Sequence, residues 1–138
     1  MTFVIVGGGP TGVELAGALG EIVQDVIRHD FRKIKVSDVR ILLVEGTDRI
    51  LPSYPPELSS SAKMFLARLG VTVQTGSVVE DIRPDRVTIR SQEKTETIRC
   101  RTVLWAAGVR ASILGQLLAE KASAHKSIAL AESWSNPT

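Results

Sequence analysis

Residues 3–17, FVIVGGGPTGVELAG, decide the fold of this chain. Four apolar residues typical of a buried strand come first, a glycine-rich turn follows, and a helical pattern begins directly after it. Gly7, Gly9 and Gly12 occupy the three glycine positions of the G-x-G-x-x-G pattern, which joins a strand to a helix in dinucleotide-binding domains. The sequence therefore predicts a first strand, a phosphate-binding turn and a first helix.

Each glycine of this pattern has a mechanical reason to lack a side chain. Gly7 allows a tight turn after the strand, Gly9 allows a pyrophosphate to approach the backbone, and Gly12 allows the helix to pack close to the strand. The free N–H groups and the positive dipole at the helix start then face the phosphates. A turn that only connects two elements is the alternative. The predicted cofactor-binding residues of the turn are Gly7, Gly8, Gly9, Pro10, Thr11 and Gly12.

The composition places the chain among ordinary globular domains. Its 138 residues suit one domain with a proper core, and the net charge of +2 is too small to indicate nucleic-acid binding. The single cysteine, Cys100, excludes an internal disulfide, fits a cytoplasmic location, and is expected to be a strand residue without a redox role. Glu14 and Glu21 interrupt the apolar opening stretch, so we expect neither a signal peptide nor a membrane span there.

The hydrophobic pattern predicts two strand–helix units after the turn and then a change of period. The first helix runs to about Arg28, with Leu15, Ile22 and Val26 widening its apolar stripe, and a charged insertion follows at residues 29–38. Parallel strands are predicted at residues 39–45, 71–75 and 102–108, and helices at 57–69 and 112–120. The apolar face predicted for the second helix consists of Leu58, Ala62, Phe65, Leu66 and Leu69.

Three short alternating runs at residues 78–83, 86–90 and 96–101 predict a small antiparallel meander between the third and last parallel strands. The fold class is therefore α/β, a Rossmann-like three-layer nucleotide-binding domain with a parallel sheet and a β-meander as crossover. Right-handed crossovers place the first strand centrally, with the cofactor over the carboxyl ends of the first, second and last strands. We expect the domain to span residues 1–122 and residues 123–138 to form a weakly ordered tail.

Glu45 closes the second predicted strand. In dinucleotide-binding domains, an acid at this place accepts hydrogen bonds from the adenosine ribose and repels a 2′-phosphate, which predicts NAD(H) rather than NADP(H). The gap from Gly12 exceeds the usual separation of about 20 residues, and the insertion at residues 29–38 accounts for the excess. Arg49 nearby could instead favour a 2′-phosphate, and a merely solvated acid is the other alternative.

Other candidate residues lie at the end of the last strand and on the first helix. Gly108 offers bare backbone to the pyrophosphate or nicotinamide ribose, with Val109 beside it, whereas Trp105 is expected in the core. Glu14 comes two residues after Gly12, where the helix dipole alone favours an acid; a place beside the nicotinamide is the alternative. No cluster of metal ligands and no hydrolytic triad is evident, so no metal is expected.

Four ordered blocks resemble type II NADH:quinone oxidoreductases, within the pyridine nucleotide–disulfide oxidoreductase superfamily. They are VIVGGGPTGVELAG at residues 4–17, Val44-Glu45-Gly46, Arg49-Ile50-Leu51-Pro52 and WAAGVRAS at residues 105–112. The resemblance covers residues 2–118. It implies that the glycine turn binds the pyrophosphate and Glu45 the adenosine ribose of NADH, and that Gly108 and Val109 bind the nicotinamide half. Gly46 and Arg49 are further cofactor-binding candidates, and Glu14 is expected to act where nicotinamide meets flavin.

The resemblance also implies a longer parent protein. Members of this family carry a separate FAD-binding domain and pass hydride from NADH to FAD and on to quinone. This chain is therefore expected to be the NADH-binding domain alone, inactive without the FAD domain, from a parent that lies peripherally on the cytoplasmic face of a membrane. A homodimer is left open. The alternatives are a stand-alone NAD(H)-sensing module, a methyltransferase using S-adenosylmethionine, and the NAD(P)H domain of a related flavin reductase such as a ferredoxin reductase.

Overall fold

The computed structural model describes residues 1–27, 38–92 and 94–108. The predicted helix at 112–120, the tail at 123–138, the domain boundary between them and nearly all of the insertion at 29–38 lie outside the described residues. The described elements are, in chain order, β1 (Thr2–Val6), α1 (Pro10–Ile22), a π-helical turn (Val23–Ile27), β2 (Arg40–Val44), α2 (Pro56–Arg68), β3 (Val71–Gln74), β4 (Ser77–Arg83), β5 (Arg86–Ser91), β6 (Lys94–Arg99) and β7 (Thr102–Trp105).

Four strands form a parallel sheet in the order β3-β2-β1-β7. Val4 of β1 is aligned with Leu42 of β2 on one side and with Val103 of β7 on the other. The first strand therefore lies inside the sheet, between the second and the last, as predicted. This order brings the carboxyl ends of β1, β2 and β7 to one edge, and the glycine turn leaves β1 at that edge.

The two faces of the parallel sheet are covered by different layers. Alternate residues of each strand point to opposite faces, so Ile5 and Val4 belong to separate clusters. The cluster on the helical side contains Ile5, Ala16, Val23, Ile41, Leu43, Ile50, Leu66 and Val71. The cluster on the other side joins the parallel sheet to the small sheet and contains Val4, Val6, Leu42, Val44, Val87, Ile89, Ile98 and Cys100. The three-layer α/β architecture is thus confirmed.

The small sheet is the predicted antiparallel meander, in the order β4-β5-β6. Its inner residues Val87, Ile89 and Ile98 are buried against the parallel sheet. Cys100 lies one residue beyond β6, not within a strand, and is buried at 5% exposure. The prediction that it belongs to a strand was therefore off by one position.

The helices bury narrower faces than the sequence predicts. On α1, the small residues Gly12, Ala16 and Gly20 are buried, whereas Leu15 and Ile22 are 37% and 49% exposed. Gly20 is so close to α2 that a Cβ on it would lie 2.7 Å from the Cβ of Leu69. The buried stripe along α1 is therefore a line of small residues, of which Gly20 packs against Leu69 at the end of α2, whereas Leu15 and Ile22 face outward.

The orientation of α2 differs from the predicted one. Leu66 is buried and Ala62 and Leu69 are half-buried, but Leu58 and Phe65 are 52% and 53% exposed. The inward stripe instead includes Ser59, whose hydroxyl donates to the carbonyl oxygen of Leu51 at 3.3 Å. Because a serine with an acceptor can take a buried position, the helix turns away from the face that apolar content alone predicts. None of the described helices is both long and apolar enough to cross a bilayer.

Candidate functional site

The glycine turn at the end of β1 packs against the segment that follows β7. Gly7 has a φ of +108°, and its N–H donates to the carbonyl oxygen of Val44 at 2.8 Å. A Cβ at this position would lie 2.8 Å from the backbone nitrogen of Ala107. Only glycine combines this backbone conformation with so close an approach.

The start of α1 is open on the side away from the sheet. Gly12 faces inward, and a Cβ on it would lie 1.8 Å from the carbonyl oxygen of Gly7. A Cβ on Gly9 would instead meet no described atom within 4 Å. Gly9 is the N-cap residue and has no side chain that could accept a hydrogen bond from the helix start. Pro10 follows it at the first helical position. Since the first N–H groups of a helix have no intrahelical acceptor, the turn and the helix start fit an anionic group such as a pyrophosphate.

Glu45 lies directly after β2, and its carboxylate joins the glycine turn to the loop after that strand. Its Oε2 accepts a hydrogen bond from the N–H of Gly8 at 2.5 Å. Its Oε1 accepts from the N–H of Thr47 at 2.8 Å and from the Thr47 hydroxyl at 2.9 Å. A Cβ on Gly8 would lie 2.9 Å from the Cβ of Glu45, so a larger residue in the turn would displace this side chain.

The environment of Glu45 favours the ionised carboxylate. Partial burial by itself would raise the pKa of Glu45. Hydrogen bonds from the N–H groups of Thr47, Gly8 and Gly46 and from the Thr47 hydroxyl outweigh that effect and hold the pKa below its ordinary value. A negative charge is therefore fixed at the edge where the glycine turn begins.

The loop that carries Glu45 is held on both sides by backbone hydrogen bonds. The N–H of Glu45 donates to Gln74 and its carbonyl accepts from Ser77, at 2.9 Å each. The carbonyl of Thr47 accepts from the N–H of Gly76 at 2.7 Å, and the N–H of Leu51 donates to the carbonyl of Gly8 at 2.7 Å. The carboxylate is thus presented from a fixed backbone rather than from a free loop.

Two other predicted residues of this loop have local structural partners. The guanidinium of Arg49 donates to the carbonyl oxygen of Pro52 at 2.8 Å, which closes the loop on itself. Gly46 is exposed, and a Cβ on it would lie 3.4 Å from a side-chain methyl of Val78. The structure therefore brings Gly46 and Arg49 next to Glu45, and Arg49 already donates to a protein acceptor.

A cavity of about 300 Å³ lies at the same edge, on the side of the sheet that carries the meander. The loop and meander residues that line it include Glu45, Gly46 and Val78, and β7 contributes Trp105. Its wall is mostly apolar, which suits a flat ring more than a phosphate.

Trp105 was expected in the core, and this expectation is wrong: the residue is 60% exposed. It ends β7, and its indole N–H donates to the carbonyl oxygen of Ala107 at 3.0 Å, which fixes the ring orientation. Val103, two residues earlier, packs against the cluster between the two sheets. The two-residue period places Trp105 on the same side of the sheet, but at the strand end, where it lines the cavity. The feature of the sequence that indicates this exposure is that Trp105 is the last large residue before Ala106 and Ala107.

Glu14 lies on α1 and is not among the residues that line this cavity. The helix begins at Pro10, so Glu14 lies beyond the first turn, and the expected stabilisation by the dipole does not apply. Its side chain is exposed and lines a groove between α1 and α2, together with Glu21 and Phe65.

The last strand is followed by a second glycine with a positive φ. Gly108 is exposed with a φ of +80°, and Val109 lies outside the described residues. Within residues 1–27, 38–92 and 94–108, no group of three His, Cys, Asp or Glu side chains is placed to hold a metal.

Sequence comparisons identify a protein family and several relatives of this chain. Residues 1–130 match the family described as pyridine nucleotide-disulphide oxidoreductase. Type II NADH:quinone oxidoreductase NdhA of Mycobacterium tuberculosis is 38% identical over 121 residues, which are 87% of this chain and 26% of that protein. Type II NADH:quinone oxidoreductase of Haemophilus influenzae is 35% identical over 116 residues, which are 84% of this chain and 26% of that protein. The chain thus spans about a quarter of the length of the curated relatives it matches.

Solved structures show the same fold. NDH2 from Plasmodium falciparum in complex with NADH superposes with a TM-score of 0.75 at 23% identity, over 81% of this chain and 23% of that one. A ferredoxin reductase from Rhodopseudomonas palustris superposes with a TM-score of 0.60 at 20% identity, over 86% of this chain and 26% of that one. The edge that carries the glycine turn and Glu45 is therefore part of a fold shared with this NDH2 and this ferredoxin reductase.

Proposed function

This chain belongs to the pyridine nucleotide-disulphide oxidoreductase family, and we propose that it binds NADH at the edge formed by the carboxyl ends of β1, β2 and β7. The resemblance found in the sequence is confirmed at the level of the family and of its type II NADH:quinone oxidoreductase members. The observation that carries the proposal is the hydrogen bond from the Gly8 N–H to the Glu45 carboxylate. It places a turn suited to a pyrophosphate directly beside an acid suited to a ribose.

The ADP half of NADH is assigned to the turn and to the loop after β2. The pyrophosphate lies over Gly9, Pro10 and Thr11, where the backbone is open and the helix start is positive. Glu45 accepts a hydroxyl of the adenosine ribose, and its fixed negative charge repels the 2′-phosphate of NADPH. The guanidinium of Arg49 donates to the carbonyl of Pro52, which holds it in this loop.

The nicotinamide half is assigned to the segment after β7 and to one side chain of α1. Gly108 carries an exposed backbone at which the second ribose can lie, and Val109 comes next in the chain. Glu14 has an exposed carboxylate on α1 and contacts the nicotinamide end where another domain completes the pocket. Hydride donation belongs to the nicotinamide itself, and this chain binds and orients it.

We also propose that the chain acts within a longer flavoprotein. Its relatives are more than three times as long and are named for NADH and quinone, so FAD and the quinone site are assigned to the other parts of such a protein. By itself the chain then oxidises no NADH, and NADH binds weakly because one side of the nicotinamide pocket is missing. The parent lies peripherally on the cytoplasmic face of its membrane.

Calorimetric titration of the 138-residue chain with NADH and with NADPH tests this proposal. We expect saturable binding of NADH and at least tenfold weaker binding of NADPH, because of the charge on Glu45. ADP-ribose should retain most of the NADH affinity, since the adenosine half makes most of the contacts available to this chain. NADH with added FAD and a short-chain quinone should show no oxidation in the presence of the chain alone.

Each outcome bears on a separate part of the proposal. Failure of both nucleotides to bind at millimolar concentration would overturn it. Equal affinity for NADH and NADPH would remove the assignment of Glu45 and leave the phosphate-binding turn. Turnover of NADH by the isolated chain would contradict the placement of the flavin and quinone sites elsewhere.

A further inference from the structure

The hydroxyl of Thr47 lies between two hydrogen-bond acceptors. Its Oγ1 is 2.9 Å from Oε1 of Glu45 and 2.8 Å from the carbonyl oxygen of Arg49. A hydroxyl has one proton, so it can donate fully to only one of these oxygens at a time. The carboxylate is charged and therefore the stronger acceptor, which makes Glu45 the preferred partner while nothing else donates to it.

Oε1 of Glu45 already receives two hydrogen bonds, as many as one carboxylate oxygen has lone pairs. An ionised carboxylate offers about four lone-pair positions. The N–H and the hydroxyl of Thr47 occupy the two positions on Oε1, whereas Oε2 accepts from the N–H of Gly8. A ribose hydroxyl that donates to Oε1 must therefore replace one of the two Thr47 donors.

The Thr47 hydroxyl is the donor that can leave at low cost. The backbone around Glu45 is fixed by the hydrogen bonds of Glu45 to Gln74 and Ser77 and of Thr47 to Gly76. The backbone N–H donors cannot turn away without breaking these bonds, whereas a hydroxyl proton turns by rotation about a single bond. The carbonyl of Arg49 lies within reach to receive it.

We propose that the Thr47 hydroxyl is an exchangeable donor, which occupies one acceptor position of Glu45 in the free protein and turns to the Arg49 carbonyl when a ribose hydroxyl binds. Glu45 then keeps the same number of donors with and without nucleotide. This rests on the proposed binding of the adenosine ribose at Glu45 and makes Thr47 a positioning residue for that site. No part of the sequence pattern around the glycine turn indicates this role.

A thermodynamic cycle between Thr47 and the ribose hydroxyl tests the exchange. The variants are Thr47→Val, which removes the hydroxyl and keeps the branched shape, and Thr47→Ser, which keeps the hydroxyl. Each is titrated calorimetrically with ADP and with 2′-deoxy-ADP, and the same cycle with 3′-deoxy-ADP covers the other ribose hydroxyl. Thr47 is exposed, so neither substitution disturbs the core.

The exchange predicts that the ribose hydroxyl matters more when Thr47 cannot replace it. Loss of the ribose hydroxyl should weaken binding by about threefold or less in the wild type and in Thr47→Ser, because the protein hydroxyl returns to Glu45. In Thr47→Val the same loss should weaken binding by about tenfold, the effect of one uncompensated hydrogen bond to a charged group.

A fixed orienting role for Thr47 predicts the opposite sign. Glu45 would then be misplaced in Thr47→Val, the ribose hydroxyl would matter less, and the exchange would be overturned. Equal effects in both proteins would also overturn it. If the wild type binds neither ADP nor NADH, the proposed function itself fails, whereas normal binding with the wrong sign of the cycle removes only the exchange.

Discussion

The N–H of Gly8 donates to the carboxylate of Glu45 at 2.5 Å and so joins the turn after β1 to the end of β2. The two residues are 37 positions apart in the chain, and the parallel pairing of β1 and β2 brings them together. This bond gives Glu45 a role in holding the site together, in addition to the proposed contact with ribose. Loss of the carboxylate should therefore affect both stability and binding.

The stabilising effect of Glu45 should depend on pH. The pKa of Glu45 is lower in the folded protein than in the unfolded chain, so the ionised carboxylate stabilises the fold above the unfolded pKa of about 4.3. That stabilisation is lost as the pH falls through the folded pKa. Urea unfolding of the wild type and of Glu45→Gln should show a free-energy difference that is constant from pH 6 to 8 and shrinks below about pH 4. Asp48→Asn, which neutralises an exposed acid of the same loop, is the control. A difference that does not vary with pH would contradict the role assigned to the charge.

Substitution of Gly12 and of Gly9 by alanine should have different effects on the stability of the fold. Gly12→Ala should destabilise the fold by about 4 kcal/mol or more, because the new Cβ would lie 1.8 Å from the carbonyl oxygen of Gly7. Gly9→Ala should change the free energy of unfolding by less than about 0.5 kcal/mol, since Gly9 has a φ of −71° and open space around the Cβ position.

Although Gly9→Ala should leave the fold stable, it should weaken the binding of NADH. A methyl group on the open side of this residue occupies space assigned to the pyrophosphate, so Gly9→Ala should bind NADH at least tenfold more weakly in calorimetry. Unchanged affinity in a stable Gly9→Ala protein would show that the pyrophosphate does not lie over this residue. Thermal unfolding of the same preparation serves as the control for folding.

Neighbouring residues of α2 should differ in their contribution to stability. Leu66 is 1% exposed and packs between the helix and the sheet, so Leu66→Ala should cost about 2–5 kcal/mol. Phe65 is 53% exposed, and Phe65→Ala should cost less than about 1 kcal/mol despite the larger side chain. Urea unfolding measures both. A larger cost for Phe65→Ala would mean that the helix is rotated toward the orientation that the sequence pattern predicts.

Trp105 should report on the occupancy of the cavity. The chain has two tryptophans, so Trp134→Phe leaves Trp105 as the only indole. The fluorescence of Trp105 should shift to shorter wavelength when ADP-ribose binds. The reason is that an adenine ring in the cavity would shield an indole that is 60% exposed. Inorganic pyrophosphate, which has no ring, should leave the emission unchanged. Binding of ADP-ribose without any change in emission would place its ring outside this cavity.

Much of the site was predictable because its chemistry depends on local spacing. The glycines at positions 7, 9 and 12 follow an apolar strand and precede a helix, and an acid ends the next strand. These features require only that the strands be parallel, since parallel strands bring their carboxyl ends to one edge. Gly46 and Arg49 lie near Glu45 because they follow it in the same loop.

The features that the sequence did not predict all depend on contacts that exist only in the folded protein. No local sequence pattern singles out Thr47, because only the fold places its hydroxyl between Glu45 and the Arg49 carbonyl. Trp105 was expected in the core on hydrophobicity, yet the strand ends where the meander no longer covers it. The bond from Arg49 to the Pro52 carbonyl likewise depends on a turn that the sequence does not specify.

The sequence by itself determined the order of strands and helices, the α/β class, the meander and the glycine turn. Those follow from hydrophobic period and from backbone positions that only glycine can occupy, and both are properties of a short segment. Tertiary structure alone decided which face of each helix is buried, that Trp105 is exposed, and that the donors to Glu45 come from both the turn and its own loop. These are contacts between distant segments, or between groups whose rotation is fixed only by the packing around them, and a local pattern carries no information about them.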